Sequence, residues 1–164
     1  MIKDILLLGN PQLYEISEPI EKNELNAIKG VVADLHDTLL EFRRVHGVGR
    51  AIAAPQIGIK KRLLYMYIDH VFVFINPVLF FPDNTKFEML DDCMSFPNLL
   101  VKVMRYTKTI IKYRDLEWNE CEMELIGDLS ELLQHEYDHL DGILATMRAI
   151  DNKSFFLKGC NENE

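Results

Sequence analysis

The segment His135-Glu136-Tyr137-Asp138-His139 sets two imidazoles four residues apart around an acid. On a helix such a pair shares one face, with β-carbons roughly 6 Å apart. Both rings can then reach a single ion at about 2.0–2.1 Å. The glutamate beside the first histidine can reach a water on that ion, the H-E-x-x-H arrangement. A catalytic ion of this kind needs a third protein ligand and one open position. Cys93 is the favoured third ligand. It stands in a turn-like stretch, Asp91-Asp92-Cys93-Met94-Ser95-Phe96-Pro97, whose short polar residues suit a thiolate on a rigid loop. Asp91, Asp92 and His70 are the competing donors.

The histidine pair needs a helix, and the sequence predicts one over about 129–140, where Asp128 and Glu131 resemble a capping box and Gly142 stops the run. A second, longer helix is predicted over about 24–45. There Leu25, Ile28, Val32, Leu35, Leu39 and Phe42 recur at helical spacing, Asn23 is a plausible N-cap and Gly47 marks the far end. Between the helices, runs rich in Val, Ile, Tyr and Phe read as strands at about 62–68, 71–75, 87–90, 107–113 and 120–125, with Pro77 limiting the second. The reading is a single α+β domain over 1–164. Mixed and antiparallel strands pack around the late helix, and the tail from about 150 frays, most of all at Asn161–Glu164. Residues 47–58, GVGRAIAAPQIG, are small and turn-prone, so backbone there can approach another group closely.

Length and composition agree with one globular core: 164 residues, 48% hydrophobic and 27% charged. A net charge of −8 argues against a broad phosphate-binding surface, so no specific nucleic-acid partner is expected. Arg43, Arg44, Arg50, Lys60, Lys61 and Arg62 cluster in sequence but read as a solvated helix end and loop. No apolar run reaches the roughly 20 residues a membrane helix needs. The opening MIKDILLLGN lacks a secretory pattern, so the expected compartment is the cytosol. Three cysteines, Cys93, Cys121 and Cys160, are an odd set for a disulfide framework and are expected reduced.

Three motifs in order make the chain resemble the peptide deformylase family. Gly49-Arg50-Ala51-Ile52-Ala53-Ala54-Pro55-Gln56 is close to G-x-G-x-A-A-x-Q. Asp91-Asp92-Cys93-Met94-Ser95 stands against E-G-C-L-S, and Gln134-His135-Glu136-Tyr137-Asp138-His139-Leu140 with Gly142 matches Q-H-E-x-D-H-L-x-G throughout. The similarity runs from Ile5–Leu13 to Gly142.

The resemblance implies hydrolysis of the formyl group from N-formylmethionyl peptides of newly made proteins, by a metal-bound hydroxide, with formate released. Cys93, His135 and His139 would hold one divalent ion, ferrous iron in the cell with zinc, nickel or cobalt as substitutes. Glu136 would move the proton, and Gln56 and the Met94 backbone N–H would hold the oxyanion. Arg50, Ala51, Ile52, Asp92 and Leu132 would meet the substrate, whose backbone would pair as an added strand. Transient contact with the ribosome is implied; oligomeric state is not.

Departures from the pattern carry expectations of their own. Ala51 replaces a glycine, which is costly only at positive φ. Asp91 replaces glutamate and should pair with Arg105. Asp92 adds a carboxylate near the substrate path. Glu131 stands where an apolar or arginine side chain is usual; it either caps its helix or faces the pocket for the methionine side chain. These changes motivate two alternatives: a deformylase of free formylmethionine or another small N-formyl compound, and a non-catalytic module holding a structural metal with a fourth ligand. A zinc endopeptidase shares H-E-x-x-H alone.

Overall fold

The computed structural model describes residues 1–160. Helix α1 spans Leu25–His46 and helix α2 spans Asp128–Leu140. The strands are β1 Ala51–Ala53, β2 Leu63–Tyr67, β3 Val71–Phe80, β4 Lys86–Cys93, β5 Phe96–Tyr106, β6 Lys108–Arg114, β7 Glu120–Ile126 and β8 Phe155–Leu157. They form two antiparallel sheets, one ordered β1-β2-β3-β6-β7 and one ordered β4-β5-β8. This is the α+β single domain that the alternation of periods predicts.

The two-residue period of β1 and β2 divides the large sheet's faces. Ile52, Leu63 and Tyr65 pack towards α1 with Ile28, Leu35 and Leu39. Ala51, Ala53, Leu64 and Met66 pack towards α2 with Leu132, Leu133 and Leu140. A third cluster, around Leu13, Val101, Val103 and Leu144, backs the small sheet and includes Cys93. Helix α2 therefore lies between the two sheets, and nearly all of its side chains are buried. That location makes any polar group on it costly unless it finds a partner.

Several elements differ from the expectation. The first turn of α1 follows a short 3-10 turn, Lys22–Glu24, closed by a Glu21–Glu24 capping box, so Asn23 does not cap it. Gly127, not Asp128, is the N-cap of α2, and no side chain caps that end. Strand β3 passes through Pro77 to Phe80, because the register shifts between Ile75 and Val78 and spares the proline a ladder bond. The longest strand, β5, is absent from the sequence reading. Its inward positions are Val101, Val103 and Arg105, and the buried guanidinium breaks the apolar alternation. Strand β8 falls inside the stretch expected to fray and pairs with Leu99–Val101 of β5. The tail at 161–164 lies outside the described residues.

Three polar ties seat α2. Gln134 holds Tyr106 of β5 from both sides, accepting from its N–H at 2.9 Å and donating to its carbonyl at 2.8 Å. Ser130 also donates to the Tyr106 carbonyl, at 2.8 Å. Arg105 spans Asp91 of β4 at 2.6 Å and Asp138 of α2 at 2.9 Å. Arg148 completes the cluster, meeting Asp138 at 2.5 Å. Arg105 and Asp91 are buried, so removing one partner strands a charge away from water. Beyond α2, the chain must pass the N-terminal segment. Gly142 has φ +71, and a β-carbon there would stand 2.4 Å from the Tyr14 carbonyl oxygen.

Two stability changes follow. Arg105→Leu should lower unfolding free energy by about 3–5 kcal/mol in a urea titration. Gly142→Ala should cost on the order of 2 kcal/mol or more by the same measurement, since it meets both a backbone clash and a left-handed φ.

Candidate active site

The two elements that carry chemistry meet at the junction of the sheets. Strand β4 ends at Cys93, and the turn Met94-Ser95 returns the chain into β5. Opposite stands the face of α2 that bears His135 and His139. The ligand atoms of Cys93, His135 and His139 all lie within 4.8 Å of one another. Cys93 Sγ is 3.4 Å from His139 Nε2. A tetrahedral ion with bonds of about 2.3 Å to sulfur and about 2.0–2.1 Å to nitrogen separates those two atoms by about 3.5 Å. The donor set therefore fits one divalent ion in size as well as in type.

The second nitrogen of His135 is held, whereas His139 Nδ1 is buried with no partner among the described residues. His135 Nδ1 is 3.2 Å from Asp91 Oδ2, which leaves Nε2 to face the sulfur and the second ring. Burial alone would raise the Asp91 carboxyl, but His135 and Arg105 beside it hold it well below the usual carboxylate range. The Ser95 N–H points at Cys93 Sγ from 3.4 Å. Among the described residues no fourth His, Cys, Asp or Glu joins the cluster. Asp92 turns away to Lys158, at 3.5 Å, and His70 is exposed on the β2–β3 turn. The closed four-ligand arrangement of a structural metal site is not built here.

Around this centre lies a cavity of about 710 Å³, bounded by the Gly47–Ala51 segment, the end of β4 and α2. Glu136 lines it, almost fully buried, and its Oε2 has no hydrogen-bond partner. Burial pushes this carboxyl up to about 7, a range in which a group both takes and returns a proton at neutral pH. Gln56 is fully buried on the 3-10 turn Ala54–Ile57. Its Oε1 accepts from the Ala53 N–H at 2.9 Å, so its Nε2 is turned inward, 3.6 Å from Cys93 Sγ and 3.1 Å from Ser95 Oγ. The amide is thus fixed as a donor aimed at the centre.

Arg50, Ala51, Asp92, Met94 and Leu132 also line the cavity. Ile52 does not: its side chain points to the opposite face of β1, towards α1, and only its backbone remains near the site. Ala51 carries no positive φ; among non-glycine residues that backbone occurs at Asn76 and Trp118. The glycine-to-alanine change there is mild, and the left-handed turn is met by Gly49 at φ +136. Glu131 faces the cavity and does not cap α2. It lies 3.5 Å from Arg50, and burial together with the Asp91 carboxylate pushes it up to about 9.

The expected Asp91–Arg105 pair is present at 2.6 Å, but the contact of Asp91 with His135 escapes sequence reasoning. So do the role of Ser95 beside the sulfur and the approach of Lys158 from just after β8. Their only sequence signal is proximity to Cys93, which for Lys158 does not exist. The basic residues at 43–62 form no common patch: Arg44 pairs with Glu41, Lys60 with Glu15, Lys61 with Glu24 and Arg62 with Asp141. No helix among the described residues is long and apolar enough to cross a membrane.

Residues 2–155 match the family model described as polypeptide deformylase. The peptide deformylase of Cytophaga hutchinsonii is 32% identical over 169 residues, covering 97% of this chain and 88% of that protein. The crystal structure of the Thermotoga maritima peptide deformylase superposes with a TM-score of 0.83 at 28% identity, covering 92% of this chain and 99% of that one. The class I type b enzyme of Acinetobacter baumannii, crystallised with Met-Ala-Ser, gives 0.82 at 28% identity, over 90% of this chain and 98% of that one. A thiolate and two imidazoles converging beside a buried glutamate, on a fold shared from end to end with these proteins, place the chain in the polypeptide deformylase family, to which it belongs.

Proposed function

We propose that the chain hydrolyses the N-formyl group of formylmethionyl peptides through the centre formed by Cys93, His135, His139, Glu136 and Gln56. One observation carries the reading. Three donors of a catalytic type converge to ion-binding distance while a buried carboxyl with one unpartnered oxygen and an inward-turned amide flank them. A module that only holds a metal has no use for the last two.

Cys93, His135 and His139 are the ligands of a divalent ion, with Asp91 fixing the His135 ring through Nδ1. When bound, the ion supplies a water whose pKa falls from about 15.7 towards neutrality. Glu136 takes the proton of the attacking water and passes it to the amine as the formyl C–N bond breaks, leaving formate and a free amino terminus. Gln56 Nε2 and the Met94 backbone N–H hold the oxygen that gains charge in the transition state. The peptide backbone lies between β1 and β4, beside Arg50–Ala51 and Asp92, in the manner of an added strand. The small side chains of Ala51, Ala53 and Ala54 let β1 and the following turn lie close to the ion. Ferrous iron is the proposed native metal, as the resemblance to the family implies; one thiolate with two imidazoles suits zinc as well.

Formate release from formyl-Met-Ala-Ser tests this reading. Glu136→Ala should retain bound metal and lose about 10²–10⁴ in kcat, measured under saturating peptide. Gln56→Leu should lose about 10²–10³ in kcat with KM nearly unchanged. Activity of the iron-loaded protein should decay in air and return on reloading with nickel. Oxygen-indifferent turnover would instead identify zinc as the working metal.

A further inference from the structure

An arginine in the last turn of a helix ordinarily turns outward and pairs with a carboxylate of its own helix, as Arg44 does with Glu41. Its neighbour Arg43 does neither. Arg43 is half-buried and lines the cavity, and its hydrogen bonds go to backbone carbonyls. Nε donates to Gly49 at 3.0 Å, and a terminal nitrogen donates to Tyr67 at 2.5 Å. The guanidinium also lies over the Tyr67 ring, 5.3 Å from its centroid, and that ring stacks with His36 of α1. One rigid, planar fork thus joins the end of α1, the loop after it and the end of β2.

The loop it holds has little else to order it. Gly47 and Gly49 both carry positive φ, and residues 47–50 lie between α1 and β1, outside both. A glycine-rich stretch loses much conformational entropy when it is fixed. Strand β1 begins directly after it, has three residues and forms an edge of the large sheet. The Tyr67 N–H donates to the Arg50 carbonyl at 2.9 Å. By the alternation of an antiparallel ladder, the N–H and C=O of Ala51 then point away from β2, on the edge beside the cavity. These are the groups that an added peptide strand pairs with. Arg43 holds a carbonyl on each flank of them: Gly49 two residues earlier, and Tyr67 across from Arg50. We propose that Arg43 is a positioning residue: it fixes the β1 edge in the conformation that receives the substrate backbone, and so sets peptide affinity without touching the reacting atoms. This rests on the hydrolase reading above for the identity of the substrate. The metal ligands, Glu136 and Gln56 are seated by other contacts, so the chemical step does not depend on Arg43.

The test combines formate release from formyl-Met-Ala-Ser with calorimetric binding of Met-Ala-Ser, both on the nickel-loaded protein. Arg43→Ala should raise KM and the dissociation constant of Met-Ala-Ser by about tenfold or more, the loss expected for two hydrogen bonds from a charged donor. Its kcat should stay within about twofold of the wild type, and its nickel content should be unchanged. Arg43→Lys, whose ammonium lacks the planar fork, should fall between the two, and it carries the test if the alanine variant does not fold. Free guanidinium, far below denaturing concentration, should restore part of the affinity of Arg43→Ala and leave the wild type unimproved. Unchanged affinity in both variants overturns the proposal. So does a loss of kcat or of nickel that matches the loss of affinity, since a merely structural role would produce it. The expected affinity changes without formate release from the wild type would uphold the positioning role and sink the hydrolase reading instead.

Discussion

Asp91 and Asp138 approach a single guanidinium from different elements, one from β4 and one from α2, where water does not reach. Arg105 meets a carboxylate from each element, and its own charge is buried only because they surround it. The cluster fixes the distance between the strand that ends in Cys93 and the helix that bears both histidines. Asp91 uses the oxygen that meets Arg105 to meet His135 as well, so the same contact orients a ring of the centre. Structure and chemistry are joined at this point. An error in the docking of α2 is at once an error in the distances among sulfur and imidazoles.

A helix buried on nearly all sides is an unusual carrier for so many polar residues. Its polar groups divide by height and by direction. Ser130 and Gln134 turn to the backbone of Tyr106, Asp138 turns to two arginines, and Glu131, His135, Glu136 and His139 turn to the cavity or the sulfur. The first set consumes its hydrogen-bonding capacity in holding the helix. The second keeps capacity in reserve, which is what a site that must bind an ion, a water and a peptide requires. Glu136 is the clearest case: its Oε2 is buried, meets no donor of the protein and belongs to a side chain that lines the cavity.

The same division applies on the opposite wall. The turn after α1 is kept free of bulk by glycines, and Gly49 lies against Phe42 and Leu39 of the helix. The backbone of β1 is thereby delivered to the cavity mouth, while Arg50 brings charge where the rest of the segment brings none. Asp92 and Lys158 add a second pair at the rim, from β4 and from the residue after β8. The cavity is consequently more polar than the small, apolar look of GVGRAIAAPQIG suggests.

Local chemistry was readable from the chain alone. His135, Glu136 and His139 are spaced by the helix period, and helical geometry by itself puts the two rings on one face. The strands at 63–67, 108–114 and 120–126 declared themselves through side chains that favour a pleated surface. What the sequence left open were matters of partner and direction. It named Cys93 over Asp91, Asp92 and His70 only as a preference, since a third ligand comes from another element and no local period reports where that element lands. It missed β5, whose inward arginine is apolar-pattern noise until Asp91 and Asp138 are seen around it. It left Glu131 poised between a cap and a cavity, and the fold decided for the cavity because Gly127 already begins α2. Ile52 and Ala51 are neighbours in sequence, yet the pleat sends one to the core under α1 and the other to the site. Periodicity fixes which side chains share a face; only packing decides what that face meets.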